Sequence, residues 1–430
     1  MSKESFGKSN KKLHDTVIVN GGGQAAFANA IAIAEEAQKA GKKIDIVMIA
    51  DKFSTPVPVG NHLCPESDGM FEGEFSDHSA YSAEYQQSMV DGLNYLIDVV
   101  KKYNIDCRMA LGYEVKGNNL AEFEEGVQDM IDRGVYKAED IIRNDGDQKL
   151  KMDGYPYSVF INGTIGQINL MDMIKGLSKV VTEHFGVDVR MDTKYQDSKQ
   201  LPNGQWVTYT DKGELYSTKE PILAHGAYAL KNNPAISKHT EIRYTLAFTS
   251  DEPLPADVWQ KISGGKPQAI GDTNMADVRW GGIDPKGYFT FGRGDLDAPA
   301  NGNEKDPEFI GQVKALEQEI RDEIRTTFPG VDADKLRMTV GPMLMTDNQL
   351  PVVLRTNKGI IMGSWSGTGI ASAWGAALDV AKFIVHGDES GMDKYTKMHP
   401  EIMAELERPA PAPANKSAEQ KIRATGSTLK

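Results

Sequence analysis

With 430 residues the chain is long enough for two domains, or for one domain carrying a large insertion. Its 40% apolar and 25% charged residues are those of an ordinary soluble globular protein, and a formal net charge of −13 with no offsetting basic patch excludes a nucleic-acid partner. Eight scattered histidines without H-x-x-x-H or C-x-x-C spacing argue against a structural metal, and the two cysteines, Cys64 and Cys107, fit a reducing compartment better than a disulfide framework.

The N-terminal segment MSKESFGKSNKKLHD has no apolar stretch of the secretory kind. No run approaches the roughly 18 apolar residues of a membrane helix, so a cytoplasmic location without a membrane span is expected. Val17, Ile18 and Val19 then read as a strand buried on both faces. Gly21, Gly22 and Gly23 follow, and the alanine-rich stretch from Ala25 to Ala40 is good helix material. Gly41 stops that helix, with Lys39, Lys42 and Lys43 where its C-terminal dipole favours cations. Ile44 to Ala50 is a second strand, ending on Asp51.

This strand-turn-helix-strand unit has the chemistry of a dinucleotide site. Gly21 allows the tight turn, and Gly23 lets the backbone approach a pyrophosphate lying over Gln24, Ala25 and Ala26 at the helix start. Asp51 can accept hydrogen bonds from a ribose. It stands a little further on than the usual roughly 20 residues, as the long helix requires.

Beyond Asp51, the Pro- and Gly-rich stretch KFSTPVPVGNHLCPESDGMFEGEFSDHS is irregular. As the continuation of the ribose strand it should run past the extended cofactor, which makes Gly60, Asn61 and His62 candidate contacts. Tyr81, Tyr85, Met89, Leu93, Leu96 and Val100 recur at helical spacing, so Ser79 to Tyr103 is an amphipathic helix; another is expected over Leu120 to Arg133. Leu170, Ile174, Leu177 and Val181 form one face of a further helix that Gly186 stops. Val187 to Arg190 and Trp206 to Thr210 read as strands, and KEPILAHGAYA as a buried strand ending at Gly226. The middle of the chain alternates like sheet, followed by a helix marked by Phe309, Val313, Leu316, Ile320 and Ile324.

A second glycine turn closes the series. The strand Gly359 to Met362 feeds Gly363, Ser364, Trp365, Ser366, Gly367, Thr368 and Gly369, and a helix begins near Ile370. Bare amides and the positive dipole end at such a helix start form an anion site, which would suit the negative edge of a reduced flavin.

With these motifs in place, the stretch from about Asp15 to Gly387 resembles the D-amino acid oxidase superfamily of flavin-dependent amine and amino-acid oxidoreductases. DTVIVNGGGQAAFANAIAIAEE is similar to its N-terminal FAD fingerprint, and EPILAHGAYA to the strand whose glycine, here Gly226, backs the cofactor. DVRWGGIDPKGYFTFGRG and SWSGTGIASAW look most like the γ-glutamylputrescine oxidoreductase and glycine oxidase-like branch. Ala26 departs from the family's third glycine, Asp51 from its usual Glu, and Thr368 from the histidine of one form of the second turn.

The resemblance implies an α/β fold (α+β overall), with a Rossmann-like FAD-binding domain interrupted by a β-rich substrate domain. The FAD-binding part would occupy 15–112, 161–232 and 336–387. A helical and loop insertion of the substrate domain would fill 113–160, the β-rich substrate domain 233–335, and a tail 388–430. The implied activity is oxidation of the C–N bond of a small amine or amino acid, with hydride passing to the flavin and the imine hydrolysed afterwards. Oxygen and other electron acceptors stay open. Arg279, Tyr288 and Arg293 are candidate anchors for a substrate carboxylate, and His62 is read as a polar loop residue beside non-covalently held FAD, a covalent flavin link being the other reading. Two further readings remain: an FAD-binding subunit of a larger complex with little activity alone, and a nicotinamide-dependent dehydrogenase that would leave SWSGTGI unexplained.

Overall fold

Val17, Ile18 and Val19 are fully buried in the computed structural model, as a β-branched run between two layers of helix and sheet should be. The structure describes residues 15–51, 62–63, 79–117, 137–143, 157–224, 233–272, 279–299, 303–348, 350–365 and 369–407, with a few positions between 124 and 132. Gly60, Asn61, Gly226, Ser366, Gly367, Thr368 and most of the helix expected over 120–133 lie outside the described residues.

The chain opens with β1 (Asp15–Asn20), α1 (Gln24–Lys39) and β2 (Ile44–Ile49). Next come β3 (His62–Leu63), α2 (Ser79–Lys102), β4 (Ala110–Gly117), β5 (Ile141–Arg143) and β6 (Tyr157–Gln167). α3 (Leu170–Lys179) runs into a π-helical turn, Val180–His184, that ends before Gly186 at a positive φ of 65°. β7 (Asp188–Arg190), β8 (Tyr195–Gln200), β9 (Trp206–Thr210), β10 (Gly213–Ser217) and β11 (Ile222–Leu223) follow. Then the chain forms α4 (Pro234–Ser237), β12 (Thr240–Thr249), α5 (Ala256–Ser263), β13 (Gln268–Asp272), β14 (Arg279–Ile283), β15 (Phe289–Asp297) and α6 (Pro307–Thr327). It ends with β16 (Arg337–Thr346), β17 (Val352–Thr356), β18 (Gly359–Gly363), α7 (Gly369–His386), α8 (Ser390–Met398) and α9 (Pro400–Glu407).

A six-stranded sheet in the order β17-β18-β11-β1-β2-β7 is parallel except for the β17–β18 hairpin. α1 packs against α7, α2 packs against α7 in turn, and their apolar faces share one core cluster. The second large sheet runs β16-β12-β15-β14-β13-β4-β6-β3, with β5 beside β6, and is mostly antiparallel. α6 and α5 cover one face of it, around Leu246, Phe248, Ile283, Phe289 and Phe291. β8, β9 and β10 form a separate three-stranded meander. The architecture is the α/β fold with a Rossmann-like unit and a β-rich partner.

Two boundaries differ from the sequence expectation. Within 113–160, expected as helix and loop, β4 and β6 pair along most of their length and β4 also joins β13, so both ends of this stretch belong to the large sheet. The expected tail from 388 begins as α8 and α9, because Met392, Tyr395, Met398 and Ile402 are buried apolar positions at helical spacing. Among the described residues no helix is long and apolar enough to cross a membrane.

Candidate cofactor and substrate site

The first turn is built around two glycines with different reasons to be glycine. Gly21 has a φ of +143°, and its N–H donates to the Ile49 carbonyl at 2.9 Å, so the chain leaves β1 while still tied to β2. Gly23 is the N-cap of α1 in an extended conformation, φ −100° and ψ 178°, with no side chain capping the helix. The first amides to bond inside the helix are those of Ala26 and Phe27, both donating to the Gly23 carbonyl. The amides of Gln24 and Ala25 precede them, and the first turn holds no acid. A helix start with free donors and no counter-charge is complementary to an anion.

Two buried polar atoms flank this turn without a protein partner, Asn20 Nδ2 before it and Gln24 Oε1 after it. Buried polar groups are nearly always paired, so such orphans mark where a bound polar group belongs. The residues present fit a dinucleotide pyrophosphate.

Asp51 follows β2, whose end is joined to β7 by the Ala50 N–H donating to the Arg190 carbonyl at 3.1 Å. Its carboxylate is half exposed, and among the described residues the ion-pair partner is Lys194 Nζ at 3.7 Å. That leaves oxygens open to a ribose. β3 pairs with β6, His62 opposite Gln167, so the backbone at His62 is anchored to the large sheet; its side chain lies outside what is described.

At the second turn β18 ends on Gly363, and Ser364 takes a positive φ of 56° while its Oγ donates to the Leu344 carbonyl at 3.1 Å. The turn is thereby pinned to β16 of the other sheet. α7 then starts at Gly369 and Ile370 with no acid in its first turn. Gly369 lies against Trp365: a Cβ there would stand 3.2 Å from the Trp365 Cβ.

Arg279 and Arg293 sit directly across from each other on β14 and β15, and both bind Glu323 of α6. Arg293 Nη1 reaches Glu323 Oε2 at 3.0 Å, and Arg293 also approaches Glu319 at 3.7 Å. They point to the α6 side of the sheet. Tyr288 faces elsewhere. Its ring lies under Arg108, 4.4 Å from the guanidinium carbon, in a cavity of about 250 Å³ that Asp172, Asp284 and Arg337 also line. Arg108 bonds Asp172 at 2.8 Å and Asp284 at 2.9 Å. Burial disfavours its charge, but the two carboxylates outweigh that and raise its pKa.

The opposite face of the large sheet carries Ala247, Gly282 and Gly292, with Trp280 laid across it. A Cβ on Gly292 would stand 2.1 Å from Trp280 Cζ2, so the indole rests on bare backbone. Ala269, cross-strand to Gly282, belongs to the core cluster formed with α1, α2 and α7, so this face turns toward the dinucleotide-binding half. Sequence reasoning passed over Trp280; its signal was the pairing of one tryptophan with glycines in RWGGI and FGRG.

Residues 17–383 match the profile of the family DAO, described as FAD dependent oxidoreductase. Solved structures of similar fold include L-proline dehydrogenase from P. horikoshii, with a TM-score of 0.66 at 15% identity, covering 90% of this chain and 98% of that one. Glycine oxidase from Bacillus cereus gives a TM-score of 0.59 at 16% identity, covering 88% and 97%. The L-α-glycerophosphate oxidase from Mycoplasma pneumoniae, solved with FAD bound, gives 0.60 at 13% identity, covering 87% and 95%. No curated protein sequence matches.

Proposed function

The chain belongs to the DAO family of FAD-dependent oxidoreductases, and from that premise we propose that it oxidises the C–N bond of a small amine or amino acid. The observation that carries the proposal is the face of the large sheet turned toward the FAD-binding half, where Trp280 lies over Gly292 among small residues. An indole laid over bare backbone suits an apolar or aminoalkyl group. Proline dehydrogenase and glycine oxidase, both by their names acting on amino acids, share the fold and support the choice.

The turn from Gly21 to Ala26 holds the FAD pyrophosphate on the amides at the start of α1, and Asp51 holds the adenosine ribose. The start of α7 at Gly369 and Ile370, with no acid in its first turn, would hold the flavin edge where negative charge gathers, its dipole end complementary to that charge. Bound there, FAD supplies a two-electron acceptor for the C–H bond beside the nitrogen. The protein's share is to take the amine neutral, to exclude water around it and to hold the C–H bond in line. The imine is hydrolysed off the protein to a carbonyl compound and ammonia or a smaller amine.

Arg279 and Arg293 serve the sheet rather than the substrate, since Glu323 already takes both guanidiniums. Turnover of the purified holoprotein with an artificial electron-accepting dye tests the proposal. A carbonyl product and ammonia, or the smaller amine from a secondary substrate, should appear in equal amounts with an amine or amino acid. Reduction of the dye by a polyol phosphate alone would overturn it.

A further inference from the structure

The family match ends at residue 383, yet the chain continues into α8, which packs against α7. That contact is polar and buried. Tyr395, 1% exposed, places its hydroxyl 3.2 Å from Ser88 Oγ of α2 and donates to Asp379 Oδ2 of α7 at 3.3 Å. Lys394 Nζ completes the group, 2.7 Å from the same Asp379 oxygen. Gly391, in the first turn of α8, is pressed so close that a Cβ would stand 2.4 Å from Asp379 Oδ1. One helix beyond the matched region therefore binds two helices of the FAD-binding half at once.

Those two helices meet backbone to backbone. A Cβ on Gly92 would stand 2.1 Å from the Gly375 nitrogen, and one on Gly375 would stand 2.2 Å from the Ser88 carbonyl oxygen. Nearer the start of α7, Tyr85 and Ser372, each 2% exposed, share a 2.7 Å hydrogen bond. Helices packed this tightly have no room to slide by a fraction of a residue. The place where α7 begins is therefore set by α2, and the contact between α2 and α7 is bridged at Ser88 and Asp379 by Tyr395.

We propose that α8 is a positioning element of the flavin site: through Tyr395 it holds α2 and α7 in one register and so fixes where the N-terminus of α7 stands against the bound flavin. A helix dipole acts within its first turn. A small displacement of Gly369 and Ile370 weakens the stabilisation of the reduced, anionic flavin and loosens FAD itself. Tyr395 and Ser372 act through α7 and touch no reacting atom, which makes them positioning residues. The inference rests on FAD binding by the family fold and not on an amine as substrate.

Tyr395→Phe removes one hydroxyl and keeps the ring. Apoprotein titrated with FAD, followed by flavin fluorescence, should show a dissociation constant raised about tenfold, within the usual range of coupling between sites. The midpoint potential of the bound flavin, read against a reference dye, should fall. Ser372→Val should reproduce both changes, while Ser372→Thr, of the same shape but with its hydroxyl, should restore them. Ile402→Val, in the neighbouring α9 where the side chain is fully buried, is the control, and should lower the melting temperature without moving either readout. Wild-type affinity and potential in folded Tyr395→Phe would overturn the proposal whatever Ser372→Val shows, as would shifts in Ile402→Val matching those in Tyr395→Phe. If Tyr395→Phe does not fold, Ser88→Ala, which removes the partner of the Tyr395 hydroxyl on α2, decides in its place. Neither readout involves a substrate, so this result and the fate of the amine reading are separate.

Discussion

The carbonyl oxygen of Ala224 occupies the place where a side chain on Gly21 would begin: a Cβ on Gly21 would stand 2.3 Å from it. Gly21 is thus glycine because β11 ends beside it, and its φ of +143° adds a second reason. Gly23 has ordinary extended backbone. The two positions should separate folding from binding. Gly21→Ala is expected to destabilise even the apoprotein, by about 2 to 4 kcal/mol from strain and overpacking, seen in thermal unfolding. Gly23→Val should fold and purify without flavin. A yellow Gly23→Val protein would contradict the placement of the pyrophosphate.

Asp51→Ala should raise the FAD dissociation constant about ten- to a hundredfold, the value of hydrogen bonds to a charged acceptor. The apoprotein's stability should barely change, because the exposed pair with Lys194 at 3.7 Å contributes little. Parallel FAD titration and thermal unfolding check both halves. A large loss of stability with unchanged affinity would assign Asp51 to the fold instead.

Glu323→Gln should take a shared carboxylate from Arg279 and Arg293 on a mostly buried face and cost about 3 kcal/mol. Denaturant unfolding measures it. The KM of an acidic substrate should not move. A KM raised severalfold in a variant of normal stability would return the two arginines to the substrate.

Glu35, on α1, accepts hydrogen bonds from Lys102 of α2 at 2.6 Å, from Tyr103 at 2.8 Å and from Tyr95 at 2.8 Å. Burial alone would push its pKa up, but the bonds from Lys102, Tyr103 and Tyr95 outweigh burial and hold it below 4.5. A depressed carboxyl contributes stability above its unfolded value, and that contribution is lost as pH falls through the folded value. Glu35→Gln should therefore cost about 1 to 3 kcal/mol at neutral pH, and the gap from wild type should close on acidification below pH 4.5. A gap that stays constant into acid would contradict the cluster's role.

The β1–α1–β2 unit was readable because its signals are local: a β-branched run, a glycine turn, an alanine-rich helix and an acid at a strand end. The regular apolar spacing of α2 and α6 was equally plain. Pairing between distant segments was not. β4 and β6 are strands because β13, far along the chain, completes their sheet. Arg279 and Arg293 looked like anchors because Glu323, which occupies them, lies on a helix well downstream. Trp280 could be assigned a face only once α6 was seen to cover the other. α8 and α9 fall inside the expected tail, although Met392, Tyr395 and Met398 already form an apolar stripe at helical spacing.

Anaerobic addition of amines and amino acids to the purified holoprotein, with the flavin absorption followed as each is added, tests the central claim most directly. At least one small amine or amino acid should bleach the oxidised flavin bands stoichiometrically, and Trp280→Ala should weaken its apparent affinity without abolishing the flavin. A spectrum that stays oxidised across the whole amine panel while a hydroxylated substrate such as a polyol phosphate bleaches it would contradict the account.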